Sequence, residues 1–400
     1  MNNIKLFIQK EFFLLFLLLV FLIDPLSKGI YVFYILLLFF LTKLSFLSYK
    51  LDGKGFLLLL FSIFYSLFYS LNPLGGAQML IIYTLAPFIF YNIGRYFSMN
   101  YSSKEILYFL FVFFAIGYAF IPTVSIIIHI IENGFTGDRN LSLLWDTNYE
   151  LSATLIAAHF TLIMSSLGIV FVPGANELER RIKLVMIVAF IISLFCILRL
   201  ASRTQIFISV ITFTLSVLYL ILRLPLNKKI PLLFVIFSSV IVFVVVYFSF
   251  SDSVIFNIFN ERNNEDVEYV MSGSGRTRIW LRSVGNVFSY PFGWNSGGVN
   301  FAHNLWLDVS RVAGILPFLS LCIFTILNIL LIYNIIRRSP ENHFFNITIL
   351  SYFIGVNAVF FVEPIMEGLL SFFLIYCLFI GILSGYADNR NFRTKGRIQN

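Results

Sequence analysis

The chain has 400 residues, of which 59% are hydrophobic and 12% charged, with a formal net charge of +8 and a mean hydropathy of +0.89. Soluble domains carry roughly a quarter charged residues, so this composition excludes an ordinary soluble globular protein. The length instead divides into membrane spans of ~20 residues joined by short loops.

Lys5 and Lys10 precede an apolar run from Phe12 to Ile23. No small-residue cleavage site follows it, which reads as an uncleaved first span rather than a signal peptide. Apolar runs predict spans near 9–24, 29–47, 55–71, 78–97, 105–130, 149–172, 184–200, 204–222, 231–250, 304–335, 344–362 and 366–385. Helices are the expected spanning form, because a chain in lipid must satisfy its own backbone hydrogen bonds. Barrel strands would be shorter and alternating. The expectation is an all-α, polytopic integral membrane protein with about twelve transmembrane helices, in which residues 1–400 form a single transmembrane domain.

The distribution of basic residues orients this topology. With the N-terminus cytoplasmic, Lys5 and Lys10, Lys43/Lys50/Lys54, Arg95/Lys104, Arg180/Arg181/Lys183, Arg223/Lys228/Lys229, Arg337/Arg338 and the tail from Arg390 to Arg397 all fall on one side. This is the positive-inside pattern, and it accounts for most of the net charge without any nucleic acid partner. Both termini are then cytoplasmic. The longest hydrophilic stretch, 251–303, is a large external loop, and Glu132–Asn148 is a second one. On the outer side the basic residues are Lys28, Arg139, Arg199, Arg203, Arg262, Arg276, Arg278, Arg282 and Arg311. Topology requires positive charge of either kind. A bias to arginine suits fork-like recognition of phosphate, whereas structural ion pairs are the plainer explanation.

Several outer segments could carry chemistry. In Arg199-Leu200-Ala201-Ser202-Arg203 one span ends and another begins at once, with Arg203 at its start. A charge at membrane depth faces a cavity or a partner, or snorkels to the interface. Gly273-Ser274-Gly275-Arg276-Thr277-Arg278 leads into helically spaced apolar residues around Ile279 and Trp280, the pattern of a helix lying on the membrane surface. A glycine loop, a helix start and arginines form an anion-binding combination. Pro291-Phe292-Gly293 makes a bend, and Ala302-His303-Asn304 stands at the outer mouth of a span with Asn304, Asp308 and Arg311 on one helix face. Asp146 and Glu150 mark an outer span entrance. Glu363 and Glu367 lie in the last outer turn, where the plain reading is partnership with the outer arginines. His129 and His159 lie in spans without a metal-ligand companion. Cys196, Cys322 and Cys377 sit in apolar runs and imply neither a disulfide framework nor a thiolate metal site.

In order, Ser202-Arg203, Ser274-Gly275-Arg276 with Ile279-Trp280, Pro291-Phe292-Gly293, Ala302-His303-Asn304 and Gly314-Ile315 form a signature. It resembles that of the O-antigen polymerase and ligase superfamily of membrane glycosyltransferases, over roughly the C-terminal half of the chain. Asp146-Thr147-Asn148 resembles a less specific motif of the same family. The resemblance implies a GT-C-like helical fold in the bacterial inner membrane, with the active site facing the periplasm. It implies an undecaprenyl-diphosphate-linked oligosaccharide as donor, with no nucleotide sugar, metal or other cofactor. Membrane lipids, a chain-length regulator and a flippase are the implied partners. Arg203 and Arg276, joined by Arg278, would hold the diphosphate, and His303 would activate or orient the acceptor hydroxyl. Arg199, Asn304, Asp146 and Arg139 would support them. The short segment from Pro291 to His303 leans toward polymerase over ligase. A flippase of lipid-linked sugars and a structural scaffold are the readings from other classes.

The topology is tested by reporter fusions. A reporter active only outside the cytoplasm gives signal when fused near Asn263 and none near Asn227; the reverse pattern overturns the orientation.

Overall fold

In a computed structural model, the structure describes residues 2–42, 52–71, 76–101, 103–135, 139–174, 176–234, 236–237, 275–294 and 301–398. The described chain is almost entirely helical, with one two-stranded sheet. Seven of its helices are long and apolar enough to cross a membrane, and a bent pair near the N-terminus makes an eighth. Two further apolar helices are shorter, and most of the expected span 231–250 lies outside the described residues, as does much of the expected external loop. The chain divides into two compact units, Met1–Phe114 with Gly275–Arg338 and Phe360–Asn400, and Ala115–Ser274 with Ser339–Val359.

The first unit begins with α1 (Asn2–Lys10) and α2 (Phe12–Ile23), bent by 81° at the break between them. The sequence had suggested one continuous span from residue 9. The bend is held by Glu11, which is buried and accepts the hydroxyls of Tyr96 and Tyr101 at 2.9 and 2.6 Å. Phe7 packs edge-on against Phe97, Tyr101 and Phe109. After α3 (Val32–Thr42), α4 (Gly53–Tyr69) starts at Asp52, whose carboxylate accepts the Gly55 amide at 2.8 Å as an N-cap.

The centre of this unit is the pairing of α5 (Ala77–Asn100) with the last long helix, Leu370–Ile398. A Cβ on Gly381 would collide with the Tyr91 carbonyl, one on Gly94 with the Leu378 carbonyl, and one on Gly385 with the Ser98 hydroxyl. Gly381 and Gly385 are one turn apart, the small-residue spacing that lets helix backbones approach closely in a membrane. At the end of this seam Asp52 also accepts Tyr91 Oη at 2.6 Å and Ser384 Oγ at 2.9 Å. Buried Arg95 bridges Asp52 at 3.7 Å and Asp388 at 2.9 Å.

The second unit contains most of α6 (Lys104–Asn133), a hairpin of β1 (Leu141–Leu143) and β2 (Asp146–Leu151), and a fragmented apolar run. The run expected as a single span over 149–172 is instead a strand followed by three short helices: α7 (Ala153–Ala158), α8 (Thr161–Ser165) and α9 (Leu167–Val170). The breaks coincide with side chains that bond to the preceding turn. His159 Nδ1 meets the Leu155 and Ile156 carbonyls, and Thr161, Ser165 and Ser166 donate three residues back. Such bonds compete with the helical ladder. Glycines then let neighbours in: Gly168 lies against Ser216, and Gly355 against Ser165 and Thr161. α10 (Glu177–Arg199) opens on a capping box of Asn176 and Glu179, and α11 (Arg203–Arg223) follows after three residues. The helix His343–Phe360 joins α11 through Ser216–Ser351 at 3.0 Å and Asn346 to Tyr219 at 2.9 Å.

The glycine seam generates a stability prediction. Gly381→Val is expected to cost about 2 kcal/mol through overpacking and to lower the thermal midpoint of the detergent-solubilised protein. Gly53→Ala is expected to leave it unchanged, because nothing lies within 4 Å of a Cβ there. Equal midpoints for the two variants would refute the seam.

Candidate functional site

The signature segments after residue 275 meet in the first unit, whereas Ser202-Arg203 belongs to the second. α12 (Gly275–Ser289) presents Trp280, Ser283 and Val287 inward, while Arg278, Leu281, Arg282, Val284 and Phe288 are exposed. The helix therefore carries an apolar stripe beside exposed arginines. Trp280 Nε1 donates to the Ala302 carbonyl at 2.7 Å. The span expected over 304–335 is broken at Gly314 into α13 (Leu305–Ala313) and α14 (Ile315–Arg338). Gly314 has φ +81°, and a Cβ there would strike the Pro291 carbonyl. The same carbonyl accepts the Ile315 amide at 3.0 Å, and the Trp294 amide donates to Arg311 O at 2.9 Å. Gly293 is at φ +101°, and a Cβ there would lie 2.8 Å from that Arg311 carbonyl oxygen. Four separated motifs, 279–280, 291–293, 302–304 and 314–315, are thereby tied around one short helix.

α13 is capped by Asn304, whose side chain accepts the Leu307 amide at 3.2 Å. His303 immediately precedes the cap, half-buried and at φ +50°, a left-handed conformation uncommon for a residue with a Cβ. Its ring lies edge-on to Phe301, with centroids 6.1 Å apart. Behind it, buried Asp308 accepts the Ala302 amide at 2.8 Å and the Asn304 amide at 3.1 Å. Arg311 Nε lies 3.4 Å from Asp308, its Nη2 pairs with Glu367, and its guanidinium sits 5.2 Å over the Phe301 ring. Glu367 belongs to α16 (Ile365–Gly368), in the turn before the final helix α17 (Leu370–Ile398), α15 being His343–Phe360. The acidic turn thus partners Arg311, as its plain reading as an arginine partner held. Arg311 is neutralised from two sides and drops out as an anion ligand.

The second unit gathers three arginines at the turn between α10 and α11. Ala201, at φ +48°, reverses the chain, and Arg203 is the first residue of α11. Arg199 is 1% exposed and its Nη2 lies 3.2 Å from His129 Nδ1. Arginine has no acceptor, so His129 accepts at Nδ1 and carries its proton on Nε2. Arg139 reaches the same turn, with Nε donating to Leu200 O at 3.0 Å. Burial, and then the charge of Arg203, lower the proton affinity of Arg139 from its ordinary value. A cation on the first turn also opposes the positive end of the helix dipole. Among the described residues, the buried Ser202 hydroxyl at the cap position has no hydrogen-bond partner.

The expected site residues therefore fall into two groups. Arg139, Arg199 and Arg203 belong to the second unit, and His303, Asn304, Arg276 and Arg278 to the first. Arg276 lies in the first turn of α12; the structure describes its backbone, as it does for Asp146 in β2. Sequence reasoning did not find the His129–Arg199 contact, which joins residues 70 apart, nor the backbone bonds to Asp308. Among the described residues no group of His, Cys, Asp or Glu has metal-site geometry. No family model, no curated protein and no solved structure matches the chain.

The buried ion pair can be tested without any assay of activity. The side chains of Arg311 and Glu367 are 5% and 9% exposed. Glu367→Leu is expected to destabilise by about 3 kcal/mol, because the buried guanidinium loses one of its two carboxylates, and Arg311→Met with Glu367→Leu to cost less than the sum of the two single changes. Additive losses in thermal unfolding would refute the coupling.

Proposed function

We propose that the chain is a surface-polysaccharide polymerase of the O-antigen type in the bacterial inner membrane. It transfers a growing glycan from polyprenyl diphosphate to the non-reducing end of another lipid-linked repeat unit. The assembly of four signature motifs, 279–280, 291–293, 302–304 and 314–315, around α13, with His303 at its head, carries the reading. The proposed topology has about twelve spans with both termini cytoplasmic and the loop 251–303 in the periplasm.

In the proposed reaction an acceptor hydroxyl attacks the anomeric carbon while the bond from that carbon to the diphosphate oxygen breaks. His303 takes the hydroxyl proton, as a general base placed beside the acceptor does. The leaving diphosphate gains charge as the bond breaks, and fork-like arginine donors stabilise that charge. Arg203 and Arg276, with Arg278, are assigned to the diphosphate. Arg139 and Arg199 shape the turn that carries Arg203. Asn304 fixes the residue after His303, and Asp146 is a supporting residue. Membrane lipids surround the donor's tail, and a flippase supplies it. The segment between Pro291 and His303 is short, which favours polymerase over ligase.

The test is elongation by the purified protein in nanodiscs supplied with a polyprenyl-diphosphate-linked oligosaccharide. The expected product is a ladder of oligomers with release of polyprenyl diphosphate. His303→Ala and Arg203→Lys are each expected to lower turnover by about 100-fold or more while leaving insertion intact. Full activity of Arg203→Lys would make Arg203 a snorkelling anchor. Transfer to a lipid A-core acceptor without elongation would assign the ligase reaction, and movement of the intact lipid-linked sugar without transfer would assign a flippase.

A further inference from the structure

We infer that Asp308 is a positioning residue whose carboxylate sets the conformation of His303 by holding the amides of the residues on either side of it, Ala302 and Asn304. Its catalytic consequence rests on the role proposed above for His303; its conformational consequence does not.

Three hydrogen bonds bracket His303. Asp308 Oδ1 takes the Ala302 amide at 2.8 Å, Asp308 Oδ2 takes the Asn304 amide at 3.1 Å, and Trp280 Nε1 donates to the Ala302 carbonyl at 2.7 Å. His303 between them stands at φ +50°. A side chain in the left-handed region is held there only when its surroundings over-determine the backbone. Helix capping alone does not require this arrangement. Asn304 already supplies the side-chain cap to Leu307, and a cap box would return one bond to the cap residue's own amide. The second oxygen of Asp308 reaches past the cap to Ala302, on the far side of the histidine.

The carboxylate is itself held. Arg311 approaches Oδ1 at 3.4 Å, pairs with Glu367 and covers the Phe301 ring, which in turn borders the imidazole. Asp308 is 3% exposed, so water cannot replace the amide bonds it accepts. An asparagine of the same shape would offer one acceptor oxygen and present an NH2 to the other amide, donor against donor.

The test uses the full chain in nanodiscs with ring-labelled histidine. The sequence has four histidines, and the His303 resonance is the one lost in His303→Ala. Asp308→Asn is expected to shift or split that resonance while those of His129, His159 and His343 stay in place. In elongation, Asp308→Asn is expected to lower kcat by about tenfold with KM for the lipid-linked donor nearly unchanged, as for a misplaced reacting group. In the His303→Ala background it is expected to cost nothing further. An unshifted His303 resonance, or displacement of all four, would overturn the inference, as would an equal loss of rate with and without His303. If Asp308→Asn does not give a monodisperse protein, Asp308→Glu keeps the charge but moves the oxygens, and the same spectral criterion applies. A wild-type protein that elongates nothing would sink the functional proposal, and the imidazole spectrum would still decide the conformational one.

Discussion

The close crossing of α5 and α17 is the constraint on which the first unit is built. Lipid offers helices no hydrophobic reason to associate, so contact must come from packing and polar bonds. Gly94, Gly381 and Gly385 remove the side chains that would keep the two backbones apart. The gap is then too small for water. The polar groups at its end are accordingly joined to one another: Asp52 to Tyr91, Ser384 and Arg95, and Arg95 to Asp388. The helices flanking this seam inherit their positions from it. Tyr83 of α5 donates to Met366 O at 3.0 Å, which fixes the short turn helix that carries Glu367.

That turn connects the seam to the signature segments. Glu367 holds Arg311, Arg311 lies against Asp308, and Asp308 holds the amides around His303. Charged side chains inside a membrane protein are costly and are kept where they are paired. Here their pairing transmits position from a helix–helix contact to a histidine. The Gly314 break serves the same end: it interrupts an apolar run that could have continued as one span, and it admits the Pro291 bend.

Arginine serves three separate purposes in this chain. Arg311 is a structural cation between two carboxylates. Arg199 is buried beside His129 and, with Arg139 bonded to Leu200 O, builds the turn from which Arg203 starts α11. Arg278 and Arg282 lie exposed on α12. A count of outer arginines could not distinguish these purposes, because charge and residue type are the same in each. What differs is the partner, and the partners lie far along the chain.

The sequence by itself determined the membrane character and the helical class, since long apolar runs have no other stable form in lipid. It also marked the amphipathic helix around Trp280 and the acidic turn at Glu367, because each is written in local residue types and spacing. It did not determine where apolar runs break. The elbow at Glu11 depends on Tyr96 and Tyr101, the fragments over 153–170 on side chains bonding back to the helix, and the break at Gly314 on Pro291. Hydropathy is blind to all three, because it averages residues along the chain whereas these breaks are decided by hydrogen bonds made locally or from a distance. Nor could it show that both oxygens of Asp308 turn back across His303. A helical wheel places Asp308 on a face with Asn304 and Arg311, but the direction of a carboxylate is settled only when folding brings Arg311, Glu367 and the 302–304 peptides against it.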